Sequence, residues 1–406
     1  MTATFRAGLA LAMRIVIIGG GPAGLYFSIL MKKADPSHHV TVIERDGPND
    51  TFGWGIVFSD QTFSYLANSD KESFATILGA CEIWDNVDVV HRGQKVSIRG
   101  NHFSGIGRLA FLNILQKRAA ELGVELRFNT NIAELDKIGA YDLLVGADGA
   151  NSLTRKTYSE FFLPSVEPRR NRYIWLGTHR LFDGLTLTFR ENSAGLFIAH
   201  SYKFSKTTST FIVECDEQTW NAAGLEQKSE DETCQYLAEV FKDDLQGNEL
   251  LANGFIRWLN FPLFKNAHRS HGNIDLIGDA LHTAHFSIGS GTKLSLEDAI
   301  ALFECLTQAE DVRTALARFE ETRRPIVEKY QEAAYSSLLW FENAKQDMGL
   351  DPIALAYKLM TRSRRIDFEK LKQRDPEFAA AWQAFSQTNE APETDGTNDS
   401  GRVGGN

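Results

Sequence analysis

A chain of 406 residues has room for two to three structural units at about 150 residues each, and 43% hydrophobic residues with 27 Phe supply a large core. The formal net charge of −10 excludes nucleic acid as the main partner. Cys81, Cys215, Cys234 and Cys305 lack C-x-x-C spacing, which points to reduced thiols rather than disulfides or a metal site, and no run reaches the roughly 18 apolar residues of a membrane span.

The opening "MTATFRAGLALAM" has the flavour of a short export signal, but its apolar run is brief and a core strand follows at once. It is read as an extension of a cytoplasmic protein, with Met13 an alternative start. Residues 14–18, "RIVII", form a β-branched run suited to a strand buried on both faces. The run enters Gly19-X-Gly21-X-X-Gly24, with Pro22 and Ala23 inside the turn, and a helix follows to about Lys33. "HVTVIER" is a second buried strand closing on Glu44 and Arg45. Strand, glycine turn, helix and acid-terminated strand together make a dinucleotide fingerprint. Gly19 permits the turn, Gly21 lets a pyrophosphate approach the backbone, Gly24 allows close packing, and Glu44 is placed for ribose hydroxyls.

Residues 50–60, "DTFGWGIVFSD", read as a flexible loop around Trp54. "HFSGIGR" reads as a second glycine-rich loop, and Arg108 stands where it turns into a helix; the arginine is either a cofactor contact or an exposed first-turn residue. Two more strands, "VELRF" and "YDLLVGADGANS", follow, the latter ending at Asp148-Gly149. Short strands then succeed one another, "RRNRYIWLGT", "LTLTFRE", "GLFIAHSYKF" and "STFIVEC", marking a sheet-based domain over 168–265 with a helix near 230–243. The first domain therefore comprises 13–167 and 266–310, and helices fill 311–385. Residues 1–12 and 386–406 are expected to lack structure, the tail being acidic and polar.

The return to the first domain carries "IGDALHTAHFSIGSGTKLSLEDA". An apolar strand breaks at Gly278-Asp279, and a Gly289-Ser-Gly291 turn followed by Thr292 opens a helix. Asp279 can accept from a cofactor hydroxyl while the open amides of the helix face electron-rich atoms.

The dinucleotide turn, "GADGANS" with Arg155 nearby, and "GDALHTAHFSIGSG" stand in the order seen in the FAD-dependent aromatic hydroxylases of the para-hydroxybenzoate hydroxylase fold, which this chain resembles. The resemblance implies an α/β fold: a Rossmann-like FAD-binding domain, an inserted β-sheet substrate domain and C-terminal helices. It assigns Asp279 to the ribityl chain, Ser287, Gly289, Gly291 and Thr292 to the flavin-side helix start, Asp148 to the flavin and nicotinamide side, and Arg108 to FAD. "FGWGIVFSD", "HFSGIGR", "RRNRYIWLGT", "STFIVEC" and "HFSIGSGTKLSLEDAI" are closer still to the monooxygenases of aromatic coenzyme A thioesters, salicylyl-CoA 5-hydroxylase and 2-aminobenzoyl-CoA monooxygenase, and less closely to the violacein-pathway hydroxylase. Phe286 replaces a proline found in many aromatic hydroxylases, so the local geometry there does not carry over.

The chemistry so implied is reduction of FAD by NADH or NADPH, addition of O2 to give a flavin C4a-hydroperoxide, and oxygen transfer to an activated ring carbon. The partner is a small aromatic substrate, and the protein is a monomer or homodimer with no resident metal. His282, His285 and His200 are catalytic candidates, each read more readily as a structural histidine. Trp54, Trp175, Tyr202 and Phe286 are candidates for the substrate wall. Two basic clusters, Arg169, Arg170 and Arg172, and Arg362, Arg364 and Arg365, are candidates for the phosphates of a coenzyme A thioester. An indole hydroxylase is the alternative enzyme, and a flavoprotein without turnover the alternative class.

Overall fold

The computed structural model describes residues 12–254 and 257–389. The first domain is built on a six-stranded sheet ordered Ser270–His271, Ile274–Leu276, Leu143–Gly146, Arg14–Ile18, His39–Ile43 and Glu125–Arg127, parallel except at the 270–271 edge. Its central strands are β-branched and apolar because helices cover both faces, leaving no polar side to alternate with. Ile15, Ile17, Leu143, Leu144 and Val145 are fully buried among Leu25, Phe27, Phe111, Leu115 and Leu302 from the helices Pro22–Ala34, Arg108–Glu121 and Gly291–Gln308.

The second sheet runs Leu250–Leu251, Pro164–Thr178, Ser209–Cys215, Gly195–Lys203, Leu185–Asn192, Val87–His91 and Gln94–Ile98, with Leu259–Asn266 also paired to Pro164–Thr178. Its long strands are hydrophobic on both faces, each face meeting a different partner. Ile174, Leu176, Phe197, Phe211 and Val213 pack on Trp220, Leu237 and Phe241. On the opposite face, Val87, Val89, Leu187, Phe189 and Ile198 pack on Phe341, Leu355, Leu359, Met360 and Leu371 of the C-terminal helices.

The structure differs from the sequence expectation in three places. Gly55–Ser59 and Phe103–Gly107, read as loops, are strands that form a three-stranded sheet with Glu82–Trp84. Their glycines mark close approach: a methyl on Gly55 would stand 2.6 Å from the Phe204 ring, and one on Gly105 2.9 Å from Trp84. Val87–His91 and Gln94–Ile98 lie within the first segment of chain yet join the second sheet, through parallel pairing of Val87 with Leu185. The last helix, Pro376–Asn389, continues past Phe385; residues 1–11 and 390–406, expected to lack structure, lie outside the described residues.

Candidate active site

The cofactor side begins at the first glycine turn. Gly19 has φ +108°, and a methyl on Gly24 would overlap the Gly19 carbonyl oxygen, so the helix seats directly on the strand end. Gly21 has open space around its Cα and opens the Pro22–Ala34 helix without a side-chain cap, so the first amides are free for an anion. Glu44 is fixed at the end of the second strand, where it accepts from the Gly20 amide at 2.6 Å and the Asp46 amide at 3.0 Å. Arg45 is exposed and pairs with Asp46 at 3.2 Å. Ala23 lies against the turn at Gly278, joining the two ends of the motif set.

That second end is tightly braced. Arg155, buried, donates to the Ala280 carbonyl at 2.8 Å and to the Ala150 carbonyl, and its guanidinium stands 4.2 Å from the Phe264 ring centre. It thereby ties the "GADGANS" turn to Gly278–Ala280. Behind the turn, Asp298 accepts from the Gly278 amide at 3.0 Å, from His282 Nε2 at 2.7 Å and from Arg323 Nε at 2.7 Å. Arg323 also reaches Glu297 at 2.9 Å, and Glu297 pairs with Lys293. These charges hold the Asp298 carboxyl well below the usual range despite its burial. Asp279, in contrast, opens into the cleft with the Arg108 guanidinium nearby; enclosure raises its pKa, opposed by His282 and Arg108.

A cavity of about 540 Å³ lies between this turn, the face of the second sheet and the C-terminal helices. Pro22, Arg108, Asp279, Ser287, Gly289, Gly291 and Thr292 line it from the glycine turns, and Trp175, His200, Tyr202 and Phe286 line it as well. Arg108 Nε and Ser290 Oγ are buried without a protein partner, and the Gly291–Gln308 helix starts without a side-chain cap. Unsatisfied donors around an aspartate on a glycine turn fit the hydroxyls and polar ring edge of FAD. Arg362, Arg365 and Arg374 stand on the C-terminal side.

Several predicted residues have other work. His282 is held in the buried charge network and does not line the cavity. His285 bonds Ser287 Oγ at 2.8 Å, and burial drives its pKa down to about 3, leaving a neutral imidazole behind the wall. Asp148 accepts from Ser152 Oγ at 2.5 Å and from the Leu153 and Thr154 amides at 2.7 and 3.1 Å, capping its own helix. Trp54 packs over Gly177, where a methyl would meet its ring at 2.7 Å. Arg169 pairs with Glu342 and Glu167, and Arg172 lies 4.0 Å from the Trp220 ring, so that cluster faces away from the cavity; Arg364 is exposed outside it.

Other residues of the site went unread in the sequence. Tyr173, Phe261 and Arg374 line the cavity, and Glu214 pairs with His200. Glu214 alone left a trace, as the one acid in the apolar run "STFIVEC".

Residues 12–334 match the FAD binding domain family. The chain is 38% identical to salicyloyl-CoA 5-hydroxylase of a Streptomyces species, over 90% of this chain and 72% of that one. It is 36% identical to the 3-hydroxy-4-methyl-anthranilyl-[aryl-carrier protein] 5-monooxygenase of Streptosporangium sibiricum, covering 81% and 89%. Identity to protodeoxyviolaceinate monooxygenase of Chromobacterium violaceum is 35%, covering 83% and 91%. Its fold matches 2-methyl-3-hydroxypyridine-5-carboxylic acid oxygenase with a TM-score of 0.69 at 18% identity, over 87% of this chain and 97% of that one. The chain belongs to the FAD binding domain family and is an FAD-dependent aromatic monooxygenase.

Proposed function

We propose that the protein hydroxylates an aromatic acyl thioester of the coenzyme A type, with NADH or NADPH as electron donor and O2 as co-substrate, at a ring position activated by a hydroxyl or amino group. FAD, when bound, supplies the electron transfer and the activated oxygen. The observation carrying the reading is the lining of the cavity. Trp175, Leu187, Ile212, Phe261 and Phe286 line it with apolar surface, and Arg365 and Arg374 line it as well, Arg365 standing 4.7 Å from the Tyr330 ring that Lys293 approaches at 4.3 Å.

Such a wall excludes water from the reacting ring, and the arginines meet phosphates of a long tether with charge-assisted bonds. Arg362 has a supporting part, since it donates to Ser337 Oγ at 2.8 Å and to the Ser287 carbonyl at 2.7 Å and so clamps the flavin turn to the helices. Asp279 accepts from the ribityl hydroxyls, Arg108 donates on the flavin side, and Gly21 admits the pyrophosphate. Two of the relatives carry a coenzyme A or carrier-protein substrate in their names, which supports the thioester.

The test measures NADH or NADPH consumption and product with salicylyl-CoA, anthraniloyl-CoA, benzoyl-CoA, their free acids and indoles. Coupled turnover of a thioester, but not of its free acid, is the expected result. Preference for an indole would favour the second reading, hydroxylation of a secondary-metabolite ring, which the similarity to the Chromobacterium enzyme supports.

A further inference from the structure

His200 and Glu214 lie diagonally on neighbouring strands: His200 pairs with Ile212, and Glu214 is the next residue of that strand on the same face. Both are almost wholly buried, at 5% and 1% exposure. His200 Nε2 stands 2.7 Å from Glu214 Oε1, and Asn171 Nδ2 donates to Oε2 at 3.3 Å. The imidazole is held between Phe286 and Phe341, with ring centres 5.4 and 4.8 Å away.

Hydrogen bonds and the neighbouring charge keep the Glu214 carboxyl below its ordinary pKa against its burial. An ionised carboxylate only accepts, so Nε2 carries the proton and Nδ1 carries the lone pair. Nδ1 has no hydrogen-bond partner among the described residues, on a ring that lines the cavity. The charged and titratable groups at the pair are Arg362 from the C-terminal helices and His285 from the flavin turn, with Arg169 of the Pro164–Thr178 strand beyond His285. Arg169 is neutralised by Glu342 and His285 is uncharged, so the Glu214 carboxylate faces two groups, the Arg362 guanidinium and His200, and offsets the cation when a proton arrives on His200.

We propose that His200 accepts the proton of a ring hydroxyl on the bound substrate, and that Glu214 is the positioning residue that fixes its tautomer and stabilises the imidazolium. The ring O–H bond breaks, an Nδ1–H bond forms, and the electron pair stays on oxygen. The resulting phenolate enriches the carbon para to it, and no oxidant or reductant enters this step. The inference rests on the reading of the substrate as a hydroxylated aromatic acyl thioester.

The test titrates salicylyl-CoA bound to oxidised holoenzyme, following phenolate absorbance by difference spectroscopy. Wild type is compared with His200→Asn, Glu214→Gln and Glu214→Asp. The hydroxyl is expected to ionise about one pH unit or more lower in wild type than in His200→Asn, with Glu214→Gln between them and Glu214→Asp close to wild type. Hydroxylation near neutral pH falls about a hundredfold in His200→Asn while FAD stays bound. One ionisation midpoint shared by all forms would overturn the proposal.

Histidine ¹⁵N NMR of the wild-type holoenzyme repeats the test without substitution. Nδ1 is expected to be unprotonated when free and protonated on binding salicylyl-CoA; an Nδ1 already protonated in the free enzyme sinks the proposal. A His200-dependent ionisation in a protein that turns over no thioester supports the proton acceptor and counts against the thioester reading alone.

Discussion

Two regions each bury a histidine on a carboxylate at 2.7 Å, and they are built for different ends. Behind the flavin turn, Asp298 accepts from His282, Arg323 and the Gly278 amide together, on a histidine that does not line the cavity. On the substrate wall, Glu214 serves His200 and Asn171, and the far side of His200 is left to the cavity. A pair distance therefore assigns no role. What separates the two is that the His200 ring lines the cavity and the His282 ring does not.

The hardest way to break the comparison is Asp298→Asn. It leaves Arg323 buried beside an uncharged amide, and a loss of about 3–5 kcal/mol is expected in urea denaturation. Because the folded Asp298 carboxyl is depressed, its contribution is fully present above the unfolded pKa of about 3.9 and is lost as pH falls through the folded value. The variant should therefore show a flatter acid limb in stability measured against pH; an unchanged limb would remove Asp298 from its central place.

Asp279→Asn is the next largest effect and probes the open side of the same turn. FAD affinity is expected to weaken about tenfold to a hundredfold, measured by flavin fluorescence, with the apoprotein as stable as wild type. Equal affinity would assign the ribityl hydroxyls to other groups.

Charge reversal at Arg365 and Arg374 sharpens the contrast between the two arginine clusters. KM for the thioester should rise about tenfold with kcat little changed, whereas reversal at Arg170 should leave both unaltered. An unchanged KM in the double variant would place the tether elsewhere. The smallest effect is on Tyr202→Phe, which removes a 2.8 Å bond to the Gly55 carbonyl from a buried ring. About 1 kcal/mol of stability should be lost in thermal denaturation, with FAD retained.

The geometry of the two glycine turns was legible because it is local. Gly19 to Gly24 and Gly278 to Gly291 are contiguous, and a backbone turn presents its amides whatever surrounds it. Glycine was also the source of error: Gly55 was read into a flexible loop and Gly105 and Gly107 into a glycine-rich one, while Gly55 and Gly105 make room for Phe204 and Trp84 against ordered strands. Residues 87–98 fall inside the 13–167 segment read as the first domain, because chain position says nothing about which sheet edge is free. Phe286, noted as the residue replacing a family proline, does reach the cavity, with its ring 5.0 Å from Tyr173.

The sequence by itself determined the fold class, the FAD fingerprint and a pool of histidines, arginines and aromatics. Tertiary structure alone decided among them. Arg169 to Arg172 and Arg362 to Arg365 are equivalent strings of charge, yet Glu342 neutralises Arg169 while the helix packing brings Arg362 and Arg365 to the cavity. Likewise His200 and Glu214 meet only through strand register, and Arg374 arrives from a separate helix. The physical reason is that cofactor phosphates are met by consecutive backbone amides, whereas a substrate wall is assembled from side chains that are neighbours only in space.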